Sequence, residues 1–230
     1  MVEFLQSITL FPLLLSLGTY QIGVWCQKKT KLAICNPLLI ATVLSIGVLL
    51  LTDFDLQVYQ AGSSWITWLL TPATVCLALP LYEQLKAFKK NLDAIFIGVA
   101  AGTLTSLGFI LLGCLLWKLD SALTISLLPK SITTAMGIAL ADQADGIQSL
   151  TAAAIIITGI LGSLMGSLLC KLFHIKHPIA QGVAFGTASH VIGTSRATEL
   201  DPLAGAVSSL SLAAAGILTS VLFPLLLMIL

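Results

Sequence analysis

Around one lysine the chain gathers an unusual set of groups. In SLLPKSITTAMGIA, residues 126–139, Pro129, Lys130, Ser131, Thr133 and Thr134 interrupt an otherwise apolar run. Proline lacks an amide hydrogen and breaks a helix, which leaves free N–H groups at the start of the half-helix that follows. Helix N-termini bind anions. Lysine adds a full positive charge and the hydroxyls add donors. The set suits a small carboxylate.

A second cluster lies in GTASHVIGTSRA, residues 186–197. Thr187, Ser189, His190, Thr194, Ser195 and Arg196 fall close together, with Gly186 and Gly193 to allow turns or the close approach of another backbone. His190 can carry a proton near neutral pH, or sit as a satisfied buried donor. Arg196 can grip a carboxylate bidentately, or face the cytoplasm. A polar loop would also hold these residues, but it would carry more charge. A third group is Thr71, Pro72 and Thr74 inside an apolar run, where a proline kink is tolerated in a membrane span. No Ser-His-Asp arrangement, acid–base pair or metal-ligand cluster can be placed, so the chain reads as no enzyme, with no cofactor and no metal.

The elements that hold these groups follow from composition. The chain has 230 residues, 57% hydrophobic and only 9% charged, where a soluble domain is about a quarter charged. Lipid is therefore the solvent for most of its surface. The net charge of +1 gives no reason to expect nucleic acid as a partner. Cys26, Cys35, Cys76, Cys114 and Cys170 are scattered through apolar runs without metal spacing, as small buried hydrophobes are. Apolar runs long enough to cross a bilayer predict spans at about 5–25, 32–51, 63–85, 93–117, 146–170 and 203–230. The N-terminus lacks a basic region before its first run, which speaks against a cleaved signal peptide. Gly159, Gly162, Ser163, Gly166 and Ser167 crowd the fifth span; such small residues let helix backbones meet in lipid.

Two segments remain, 121–142 and 178–201, which together carry the two polar clusters. Lys130 lies about 13–14 Å of helix beyond Ser121, near the middle of a hydrocarbon core about 30 Å thick. A lysine there costs about 2.5–3.5 kcal/mol on insertion scales. Snorkelling to an interface would relieve that cost, but needs neither the proline nor the hydroxyls. If 121–142 dips in and returns, Lys28, Lys29, Lys31, Lys86, Lys89, Lys90, Lys171 and Lys176 all fall on the inner side, as the positive-inside rule asks. The two segments then enter from opposite faces and meet. Broken but fully spanning helices are the alternative. The fold expected is an all-α polytopic membrane protein with about six full spans plus re-entrant or broken helices. Pro72-Ala73-Thr74-Val75 faintly echoes Pro129-Lys130-Ser131-Ile132, as in transporters built from inverted repeats around broken helices. With a moving bundle, this predicts elevator-type transport.

At these residues the chain resembles a known family. LLPKSITTAMGIAL, LTAAAIIITGILGSLMGSLL, HPIAQGVAFGTASHVIGTSRATEL and LAGAVSSLSLAAAGILTSVL look like the LrgB/CidB family of bacterial membrane proteins, as does TPATVCLALPLYEQ at 71–84. The likeness covers about residues 5–230. It departs at Ala135, where the family often has proline. The resemblance implies a multi-pass protein of the bacterial plasma membrane with a small LrgA/CidA-type holin-like partner. It implies an antiholin-like role in murein hydrolase export and cell lysis. It also implies carboxylate transport: plant relatives, similar to a fusion of both proteins, move glycolate and glycerate across the chloroplast envelope, and bacterial pairs are linked to pyruvate. The residues themselves favour transport of a small anion; with what the resemblance implies, this gives a secondary transporter or exporter of small 2-hydroxy or 2-oxo monocarboxylates, and transporters with moving bundles are commonly homodimers.

Overall fold

The computed structural model describes residues 10–30, 37–69, 72, 75, 76, 82 and 89–228. The chain divides into two compact units, Met1–Cys76 and Leu77–Leu230.

The first unit holds α1 (Phe11–Thr30), α2 (Pro37–Thr52), α3 (Leu56–Gly62) and α4 (Ser64–Trp68). Within the described residues α1 starts at Phe11 and runs past the apolar stretch to Thr30, with Lys28 and Lys29 in its last turn. Cations there complement the helix dipole. A Cβ on Gly23 would lie 2.5 Å from the Pro37 carbonyl oxygen, so α1 and α2 meet backbone to backbone. Thr19 and Ser45 hydroxyls bond across the pair at 3.0 Å. Asp55 caps α3 by accepting from the Gln57 amide at 2.7 Å. Most of the expected span 63–85, including Thr71 and Thr74, lies outside the described residues; Pro72 is exposed.

The second unit holds α5 (Leu92–Leu116), α6 (Ser121–Leu127), α7 (Thr134–Gln143), α8 (Gln148–Leu172), α9 (Pro178–Leu200) and α10 (Pro202–Leu227). Three of these, α5, α8 and α10, are long and apolar enough to cross a membrane. Their outward faces are apolar, with Phe109 of α5 78% exposed; such a surface fits lipid, not water. The early residues of α5 (Leu92, Ile95, Val99) share one cluster with Leu203 and Val207 at the start of α10. Late residues of both (Leu107, Ile110, Phe223, Leu226) share another. The two helices therefore run the same way. Cys170, near the end of α8, packs with Ala204, so α8 runs against them. Lys89, Lys90 and Lys171 all fall at the end where α5 and α10 begin, here called the basic end.

The remaining chain forms two helical hairpins. α6 and α7 part on either side of Pro129. The chain then comes back: the Ile147 amide donates to the Ser126 hydroxyl at 2.7 Å, and a Cβ on Gly146 would lie 2.8 Å from Ile125. α9 reverses in its middle, at His190, where φ is 42° and ψ −139°. A Cβ on Gly193 would meet the Phe185 carbonyl oxygen at 2.9 Å and the Ser189 Cβ at 2.4 Å. In a straight helix residues eight apart are separated by about 12 Å. Its two arms, 178–189 and 191–200, thus lie side by side. Gly182 on the first arm and Thr198 on the second both abut the start of α10, at Ala204 and Gly205.

Glycines on α8 seat this hairpin. A Cβ would reach His190 from Gly159 at 2.3 Å, Ser189 from Gly162 at 1.8 Å and Phe185 from Gly166 at 2.3 Å. Gly162→Ala therefore overpacks a buried contact, at about 1–3 kcal/mol. It should lower the melting temperature in detergent. Gly108→Ala, which meets nothing within 4 Å, should hold or raise it, since alanine is the better helix former.

Candidate functional site

The two hairpins come from opposite ends of the three long helices. α6–α7 enters from the end where α5 and α10 finish; α9 enters from the basic end. Their tips stop midway. His190 lies against Gly159, near the middle of α8, and its Nε2 bonds the Ile155 carbonyl oxygen at 2.8 Å. The Ser131 hydroxyl bonds that of Ser106 at 2.9 Å, near the middle of α5. Met136, just past the first tip, meets Gly216 of α10.

Between the tips is a small cavity. Its wall carries Ser131 from the first hairpin, Thr187 from the second, Thr103 and Ser106 from α5, and Thr219 from α10. Leu107, Leu128, Ile132 and Ala215 complete it. Its volume is about 10 Å³, room for about one water. Lys130 Nζ donates to the Ser131 hydroxyl at 3.2 Å, which brings its charge to the rim. Among the described residues no carboxylate pairs with Lys130; the ion pair found there joins Arg196 to Glu199. The acidic side chains described in this unit (Asp93, Asp120, Asp142, Asp145, Glu199 and Asp201) lie at helix ends or in the connections between helices. A half-buried cation held by one hydroxyl, beside a cavity with further hydroxyls on its wall, can receive an anion.

The other residues singled out in the sequence are placed as follows. Thr133 caps α7, its hydroxyl accepting from the Met136 amide at 3.4 Å, and Thr134 opens that helix. Ser189 and Thr194 are buried in the second tip; Thr194 bonds the Ser208 hydroxyl at 2.8 Å and the His190 carbonyl at 3.0 Å. Gly186 and Gly193 do not make the turn, which falls on His190. Both sit inside the arms, where their missing side chains allow close approach: a Cβ on Gly186 would lie 2.4 Å from the Ser208 carbonyl oxygen. Arg196 is apart from the cavity. It bonds Ser167 at 3.2 Å, eight residues along α8 from the Gly159 that receives His190, or about 12 Å. Thr71 and Thr74 lie outside the described residues.

Three wall residues were missed in the sequence: Thr103, Ser106 and Thr219. Their signal was a hydroxyl pair spaced one turn apart at mid-span in TLTSLG, and a lone threonine in α10. Thr103 is 4% exposed, lines the cavity, and its hydroxyl has no hydrogen-bond partner.

Comparison with known proteins puts this arrangement in context. The chain is 35% identical over 227 residues to "Holin-like protein CidB" of Staphylococcus epidermidis, covering 99% of this chain and 98% of that one. It is 34% identical over 227 residues to the Staphylococcus aureus protein of the same name, with the same coverage. It is 32% identical over 216 residues to "Antiholin-like protein LrgB" of Bacillus mycoides, covering 94% of each. No solved structure matches it. The LrgB-like family matches residues 16–229, nearly the whole chain, and to that family this membrane protein belongs.

Proposed function

We propose that the chain is a secondary transporter or exporter of small monocarboxylates in the bacterial plasma membrane, for 2-hydroxy or 2-oxo acids the size of glycolate, glycerate, pyruvate or lactate. The observation that carries this reading is Lys130: a cation at a hairpin tip with no carboxylate partner among the described residues. An unpaired charge at membrane depth is unfavourable, and a substrate carboxylate would supply the missing partner. Ser131 and Thr187 border the same cavity from opposite hairpins, so parting the tips would open the site to one side or the other. The cavity of about 10 Å³ is too small for a whole acid, so the tips would have to part to admit one. The basic end faces the cytoplasm. His190 and Thr194 hold the inner tip; Arg196 stands at the inner mouth. A homodimer and an LrgA/CidA-type partner belong to the same proposal.

A second reading is favoured by the names of the relatives, holin-like and antiholin-like. It makes the chain an antiholin-like regulator of murein hydrolase export and cell lysis. Those names support it more directly than they support carriage of a carboxylate; the lone lysine supports the carrier. The two separate in proteoliposomes holding the purified chain, given labelled pyruvate, glycolate and lactate with and without an LrgA-type partner. Saturable uptake of any of them is the expected result. No uptake in either preparation would abandon the carrier and leave the regulator.

A further inference from the structure

We propose that Thr103, with Ser106 and Thr219, forms a subsite for an oxygen on the second carbon of the substrate; this rests on the carboxylate reading above. Thr103 has a hydroxyl that is buried, lines the cavity and lacks a partner. Buried polar groups are nearly always hydrogen-bonded, and an orphan facing a cavity awaits one supplied from within it. The cavity accepts about one oxygen-sized atom. Ser131 fixes where that atom sits: its hydroxyl receives Lys130 Nζ and also borders the cavity. A carboxylate held by Lys130 and Ser131 therefore has the cavity directly beside it. The substituent that enters is the one on the adjacent carbon, and hydroxyls on its wall select oxygen over hydrogen or methyl. A hydroxyl or a keto group satisfies them equally, since a threonine hydroxyl can donate or accept.

Thr103, Ser106 and Thr219 lie on α5 and α10, not on the hairpins. The hairpin tips thus recognise the acid, and the long helices recognise what is attached to it. A site built to bond one substrate oxygen strongly rejects an analogue without it.

The test compares lactate with propionate, which differ by that one oxygen. Uptake by proteoliposomes is measured for the wild type, Thr103→Val and Thr103→Ser. Valine keeps the shape and removes the hydroxyl; serine keeps the hydroxyl. The wild type should prefer lactate, Thr103→Val should lower that preference at least about tenfold, and Thr103→Ser should retain most of it. Melting temperatures confirm that each variant is folded, and Thr219→Val gives a second site should Thr103→Val fail to fold. An unchanged lactate-to-propionate ratio in a folded Thr103→Val would overturn the subsite and leave the carrier standing. Absence of uptake of lactate, pyruvate and glycolate by the wild type, with and without an LrgA-type partner, would overturn both.

Discussion

Lys130→Met yields a protein that folds, melts at or above the wild-type temperature, and carries no measurable carboxylate. The two effects share one cause. Lys130 is half-buried with a single neutral hydroxyl as its hydrogen-bond partner, and a lysine at membrane depth costs about 2.5–3.5 kcal/mol. Methionine has nearly the same length and no charge, so the empty protein gains stability. The loaded protein loses the charge-assisted bond to the carboxylate. Removing one member of a buried charged pair costs about 2–5 kcal/mol, so affinity should fall about 30-fold or more. Uptake at substrate concentrations near the wild-type half-saturation point reads this directly. Higher stability with lost flux marks a functional group held against the preference of the fold. A variant that loses stability and flux together would mean that Lys130 serves structure. A regulator that acts by assembly alone would keep its effect on lysis in this variant.

His190→Gly should be more stable than His190→Ala, the reverse of the usual order. In a helix alanine exceeds glycine by about 1 kcal/mol. Both substitutions remove the ring and its 2.8 Å bond to Ile155, so they differ only in backbone preference. At φ 42° and ψ −139° a residue with a Cβ is strained by about 1–3 kcal/mol, and glycine is not. For a chain of this size the difference amounts to a few degrees in melting temperature. Alanine melting higher than glycine would remove strain from the account of this turn. The wild-type histidine tolerates the strain because its ring is held: His190 is 3% exposed, bonded to Ile155 and set against Gly159. The strained turn and the bonded ring together pin the tip of the second hairpin to α8.

Much of the architecture was legible in the sequence, and the misses share a physical origin. α5, α8 and α10 stand within a few residues of the apolar runs 93–117, 146–170 and 203–230, because length and apolarity are what a bilayer requires. The small residues of α8 announced a close contact, and Gly159, Gly162 and Gly166 each face the second hairpin. The turn of that hairpin was not legible. Glycine is the residue expected at positive φ, which pointed to Gly186 and Gly193, yet the fold spends both on close approach and places the strain on His190. Thr133 caps α7 by accepting from the Met136 amide, a use of its oxygen that the sequence did not single out and that leaves its hydrogen able to donate. Thr103, Ser106 and Thr219 gave no signal strong enough to single them out. A lone hydroxyl in a span often bonds its own helix, as Thr42 does at Leu38 and Ser220 at Gly216, so only the cavity distinguishes those that do not.

The seat of the first hairpin bears on how the protein is made. Leu128 packs with Leu107 of α5 and Phe223 of α10, Met136 rests on Gly216 of α10, and a Cβ on Gly137 would meet Ile155 of α8, so α6 and α7 lie against helices made both before and after them. α10 follows every other described helix in the chain. While the ribosome is still adding α9 and α10, the segment with Pro129 and Lys130 can lie against α5 and α8 but lacks the wall that α10 gives it. Its seat is complete only when α10 arrives. The polar tip thus reaches its final packing only after the last described helix is made, and until then one side of it stays open.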